Sequence, residues 1–178
     1  MDIQDDQSLA GAERELTSIA ASEIEFSPPP YDLQYLQGLH RHLFRDVYDW
    51  AGELRVIDIS KGNTRFCTVD RIGPEAKRVF NCLAKVDWLE GISRHDLINA
   101  VAEYYGDLNM VHPFRDGNGR AQRLMFEHLI INAGYQINWG PVTEEEWLKA
   151  NIDAVTCDYA GLVQVFEKCI GGPLPEEI

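Results

Sequence analysis

Residues 111–123, "VHPFRDGNGRAQR", gather an imidazole, a carboxylate, two glycines flanking an amide side chain, and Arg115, Arg120 and Arg123, in a chain with 16 basic residues in all. Each of these groups serves phosphate chemistry. Gly117-Asn118-Gly119 stands where a loop enters a helix, and the first N–H groups of a helix have no intrahelical acceptor. They can therefore point at an anion, which glycine allows to come close. Arg120 and Arg123, three apart on the first turn, offer forked donors to neighbouring phosphate oxygens. Asp116 is a hard oxygen ligand beside them, suited to a magnesium ion bridging nucleotide phosphates. Histidine is the side chain that ordinarily titrates near neutral pH, so His112 can take a proton from an attacking hydroxyl. The set points to nucleotidyl or phosphoryl transfer. A Walker loop is absent, and a dinucleotide fingerprint would need a preceding strand and a small residue where Gln122 stands. Phe114, an aromatic between polar neighbours, is expected to anchor the loop in the core.

Helices must hold these groups in place. Glu13 to Ala21 reads as a short helix, and "SPPP" (27–30) interrupts before the next. From Asp32 to about Trp50, Leu33, Leu36, Leu43, Val47 and Trp50 recur at helical spacings and predict one long helix. Arg55 to Cys67 turns to β-branched residues around Lys61-Gly62-Asn63, which predicts a hairpin. Pro74 opens a helix to about Trp88, and Ser93 with Asp96 starts another that runs through Met110 until the "HPF" step ends it. Gly119 to Ala133 is helical by pattern, with Leu124, His128 and Ile131 on one side and Gly134 as its stop. Thr143 and Glu146 make a capping box for the helix bearing Trp147 and Leu148, and a last helix runs from about Tyr159 to Ile170.

With 178 residues, 45% of them hydrophobic, the chain is expected to form a single domain. Its formal net charge of −13 argues against nucleic acid as a direct partner, because phosphate-backbone binding needs a basic surface. The acidic start lacks an apolar run, and no stretch approaches the roughly 18 apolar residues that span a bilayer, so no membrane association and a cytoplasmic location are expected. Cys67, Cys82, Cys157 and Cys169 show no CxxC spacing and read as reduced thiols. His40 and His42, two apart on a helix, face different ways and make no metal pair. His95 reads as a surface residue and His128 as a packing one. Trp50, Trp88, Trp139 and Trp147 are expected as core anchors.

"HPFRDGNGRAQR" resembles the Fic motif, H-x-F-x-[D/E]-G-N-G-R-x-x-R, at every specified position. "LHRHLFRDVYDWAGELR" (39–55) is similar to the helix that leads into that family's flap hairpin, so the resemblance spans about residues 30–170. It implies an all-α, Fic-type helical domain with one β-hairpin flap, about 55–67, that transfers AMP from ATP to a hydroxyl side chain of a target protein and releases pyrophosphate. Carried onto this chain, it makes His112 the base and Asp116 the magnesium ligand. Gly117, Asn118 and Gly119 become the nest for the α- and β-phosphates, with Asn118 orienting the α-phosphate, and Arg120 and Arg123 hold the outer phosphates. Lys61, Gly62, Asn63, Thr64, Arg65 and Phe66 form the flap's tip and second arm, which clamps an extended target segment by strand addition.

Family members often carry an inhibitory [S/T]-x-x-x-E-[G/N] helix whose glutamate pairs with the second motif arginine. No Ser or Thr of this chain has Glu four positions later. The resemblance thus implies a separate small antitoxin that presents its glutamate to Arg123, and it brings type II topoisomerase subunits forward as targets. Doc-like kinases replace part of the glycine nest, which is intact here. Transfer of UMP, GMP or phosphocholine stays open, since the base pocket lies outside the motif. An inactive nucleotide-binding scaffold predicts a substituted motif residue, and there is none.

Overall fold

The structure, a computed structural model, describes residues 6–175. Among them, seven helices follow in chain order: α1 (Asp6–Ser22), α2 (Leu33–Phe44), α3 (Ile72–Lys85), α4 (Arg94–Val111), α5 (Asn118–Asn132), α6 (Glu144–Ala154) and α7 (Ala160–Cys169). Two small antiparallel ladders complete the fold, β1 (Ser60–Lys61) with β2 (Thr64–Arg65), and β3 (Tyr135–Ile137) with β4 (Ile170–Pro173). The helical class and its flap hairpin are as expected.

The core is built around α5. Ala121, Met125, Phe126, Leu129 and Ile130 are all buried, and so are the polar Gln122 and His128. The expected stripe of Leu124, His128 and Ile131 is too narrow, because α5 packs against α2, α4 and β3 at once. A helix enclosed on several sides has no single apolar face for a periodicity to reveal. Gln122 satisfies its own burial by donating from Nε2 to the Tyr105 carbonyl at 2.7 Å.

Local rules place most helix ends. Thr143 and Glu146 form the full capping box of α6, and the Ser93 side chain accepts the Asp96 N–H at the start of α4. Gly134 at φ 91° turns the chain out of α5 into β3. His128 is buried and bonded to the Tyr35 hydroxyl, and His95 is exposed. All four cysteines are free thiols. The four tryptophans are half-buried, packed at the core's margin rather than inside it.

Four expectations need correction. α1 begins well before Glu13. α2 ends at Phe44 instead of running to Trp50, since tight turns with Val47 and Tyr48 N–H on the Phe44 carbonyl replace the helix. Tyr48 and Trp50 stack on each other there, ring centroids 4.3 Å apart, so the place of Trp50 in the expected stripe reflects a packed turn. The flap's paired residues are only Ser60↔Arg65 and Lys61↔Thr64, shorter than the span 55–67. Finally, the last helix ends at Cys169, about where expected, but an unexpected strand, β4, starts at Ile170. It pairs with β3 in a second ladder that joins segments too distant in sequence to announce each other.

Candidate active site

The thirteen-residue stretch closes α4, crosses a short loop and opens α5. His112 sits at the end of α4 in the left-handed region, φ 45° and ψ 62°, which reverses the chain at once. Its Nδ1 lies 3.2 Å from the Asn109 carbonyl, so that nitrogen carries the proton and Nε2 keeps its lone pair. Phe66, at the foot of β2, stacks on the ring with centroids 3.7 Å apart and planes 13° apart. Burial first, with the positive charges of Lys61 and Arg55 behind it, lowers the His112 pKa to about 4. The imidazole is therefore neutral at physiological pH.

The loop is fixed by bonds that the motif pattern does not advertise. Phe114 is fully buried, as expected, and stacks on His40 with ring centroids 3.9 Å apart. The Asn118 side chain accepts the Phe114 N–H at 2.8 Å and donates to the Phe114 carbonyl at 2.9 Å. That amide thus closes the loop on itself, which leaves the residue's main-chain N–H as its group for an anion. His40 accepts the Gly52 N–H at Nδ1, 2.9 Å, and reaches the Asp116 carbonyl from Nε2 at 3.0 Å, so Nε2 donates. Gly117, at φ 72°, lies so close to the Phe44 ring that a Cβ there would collide with it.

Neither Asn118 nor Gly119 has a main-chain acceptor for its N–H, as expected at a helix start, whereas Gly117 N–H is bonded to the Asp116 carboxylate at 2.5 Å. Asp116 is exposed, and among the described residues no three His, Cys, Asp or Glu side chains gather as a metal cage. One carboxylate beside an anion nest does fit a magnesium ion that is held jointly by nucleotide phosphates.

The two motif arginines differ. The Arg120 guanidinium is ion-paired with Glu13 of α1, lies 3.3 Å from the Thr17 hydroxyl and covers the Phe44 ring at 4.5 Å. Arg123 lies over Trp147 at 5.7 Å, and no carboxylate among the described residues pairs with it. Glu13, whose contact with α5 only the fold creates, falls outside the inhibitory-helix pattern that pairs a glutamate with Arg123. The flap tip, Lys61, Gly62 and Asn63, and Arg65 are exposed, Thr64 is half-buried, and Phe66 is buried at the foot rather than displayed on the second arm. Sequence reasoning also missed His40, set aside as structural, and Arg55, which is 1% exposed. The stretch "LHRHLFRDVYDWAGELR" contained both.

A flap hairpin, a histidine at a helix end and an anion nest, in this order along the chain, define a family fold. The chain belongs to the Fic/DOC family, whose model matches residues 30–130. It is 37% identical over 170 residues, 96% of this chain and 85% of the other, to a protein of Escherichia coli K12 described as "Probable protein adenylyltransferase Fic". It is also 37% identical over 124 residues to the "Protein adenylyltransferase VbhT" of Bartonella schoenbuchensis, matching 70% of this chain and 26% of that longer one. Among solved structures, the Fic domain of a Bartonella quintana effector with bound ADP superposes with a TM-score of 0.90 at 29% identity, covering 97% of this chain and 89% of that one.

Proposed function

We propose that the protein is a protein adenylyltransferase, transferring AMP from ATP to a hydroxyl side chain of a target protein. The observation that carries this reading is a neutral His112, with its lone pair on Nε2, set one short loop before the unpaired N–H groups of Asn118 and Gly119. His112 Nε2 takes the hydroxyl proton. The oxygen then bonds to the α-phosphorus as the bond to the bridging oxygen breaks, and pyrophosphate leaves with that electron pair. The nest holds the phosphates, and Arg123, lacking a carboxylate partner among the described residues, meets the outer ones. Arg120 can join it only by exchanging Glu13 for phosphate. Magnesium, held by Asp116 together with the nucleotide, would neutralise charge building on the phosphates. The names of the relatives and the nucleotide-bound neighbour support the same chemistry.

The target segment lies along β1 and β2, extending their two-pair ladder. Control comes from a separate small antitoxin whose glutamate reaches Arg123, and topoisomerase subunits are the first targets to try. The test is incubation of the protein and a His112→Ala variant with α-labelled and, separately, γ-labelled ATP, magnesium and a cell lysate. Protein bands labelled from the α position alone, and absent with the variant, are expected. Label from the γ position would replace this reading with phosphoryl transfer.

A further inference from the structure

Arg55 lies outside the motif, is buried, and directs its guanidinium at main-chain oxygens, with one side-chain contact besides, from Nη2 to the Cys67 sulfur at 3.8 Å. Nε donates to the His112 carbonyl at 2.8 Å, Nη1 to Ile57 at 2.8 Å, and Nη2 to Cys67 at 2.5 Å and Val111 at 3.3 Å. Its own N–H reaches the Pro113 carbonyl at 2.9 Å. The nearest carboxylate, Asp58, is 4.0 Å away and half in solvent. A buried cation without a close counter-ion is costly unless its donors are satisfied. Here four main-chain oxygens accept from it, and two of them, Val111 and His112, lie at the negative end of α4, where carbonyls lack helical partners and a cation is favoured.

These acceptors fall into two groups. Ile57 and Cys67 are the feet of the flap's two arms, preceding β1 and following β2. Val111 and His112 are the end of α4 and the base itself. The phosphate nest is held by another set, His40 on Asp116, Asn118 on Phe114 and Phe44 against Gly117, none of which touches Arg55. We propose that Arg55 is a positioning residue that ties both feet of the flap to the main chain of His112, so that docked target and base share one frame while nucleotide binding is left apart. The proposal rests on the reading above and adds to it a division of labour between target side and nucleotide side.

Arg55→Lys and Arg55→Ala in the full chain test it. A lysine ammonium keeps the charge but cannot fork to both feet and to His112. Affinity for the non-hydrolysable analogue AMPPNP is expected to stay within about twofold of wild type, because no nest bond is lost. Labelling from α-labelled ATP, on the lysate band that the wild type modifies, should fall about tenfold with lysine and about a hundredfold with alanine, the range for losing one or more bonds to a charged group. Amide exchange at Phe66 and Cys67, whose N–H groups bond to Ile59 and Met110, should quicken at least tenfold while α5 exchanges as before. Three outcomes would overturn the proposal: AMPPNP affinity falling as far as labelling does, unchanged exchange at the flap feet, or loss of cooperative melting in both variants, which would make Arg55 a staple of the whole core. Should the wild type label nothing from the α position, adenylyl transfer fails while the exchange and AMPPNP comparison still decides the role of Arg55.

Discussion

The His112 ring owes its low pKa first to burial, and Phe66 lies flat against one of its faces. A base is useful only when unprotonated, so kcat/KM should hold level from neutral pH downward and fall only as pH drops through about 4. An ordinary histidine would already be about nine-tenths protonated at pH 5.5. Replacing Phe66 with Ala uncovers the ring and should move the acid limb upward towards pH 6.5; a limb that stays put would remove Phe66 from this role. At this scale the sequence was a good guide wherever the chemistry is contiguous. His112, Asp116, the glycines and the arginines could be read because they are neighbours in the chain. His40 and Arg55 could not, since the bonds that matter join residues 76 and 57 positions apart. Nor could Asn118's amide be assigned to the loop, because an asparagine before a helix serves anion and main chain equally well.

Among the elements, α1 is pinned to the site by one carboxylate. Glu13 accepts from Arg120 of α5 and from the Tyr48 hydroxyl at 2.8 Å, joining three segments that share no sequence signal. Glu13→Ala leaves a partly buried guanidinium and a hydroxyl unmatched. Its expected cost is about 1.5–3 kcal/mol, measured by chemical denaturation. A change below about 0.5 kcal/mol would place the pair among ordinary surface contacts. Helices with a local start signal were legible, α6 by its capping box and α4 by Ser93. The end of α2 was not, because Leu43, Val47 and Trp50 keep a helical spacing although the chain turns after Phe44 and Trp50 packs on Tyr48 there. The β3–β4 ladder escaped for the opposite reason: Ile170 suits the close of an apolar helix as well as the start of a strand.

For the whole molecule, burial lowers the proton affinity of three histidines, His40 and His128 being fully enclosed and His112 half-buried. Burial lowers the pKa of His40 and His112 to about 4 and lowers that of His128 as well. Unfolding returns each to about 6.5, so between these values the unfolded chain binds protons that the folded one refuses. Stability is therefore complete above about pH 6.5 and declines as pH falls towards 4, with a slope of about 1.4 kcal/mol per pH unit for each group fully engaged. Thermal melts at pH 7.5, 5.5 and 4.5 should show this. A midpoint unchanged down to pH 4.5 would contradict it.

The carbonyls at the end of α4 have one further consequence. Asn109, Met110, Val111 and His112 receive their hydrogen bonds from the His112 ring, from Cys67 and from Arg55, so the flap segment serves as the helix's C-terminal cap. A two-pair hairpin is among the least stable parts of a fold, and the last turn of α4 is only as secure as what caps it. On heating, that corner should open as a unit before the rest, carrying His112 out of place while the α5 core persists. The midpoint of reversible activity loss is expected several degrees below the midpoint of global melting, and coincident midpoints would mean that flap and core unfold as one.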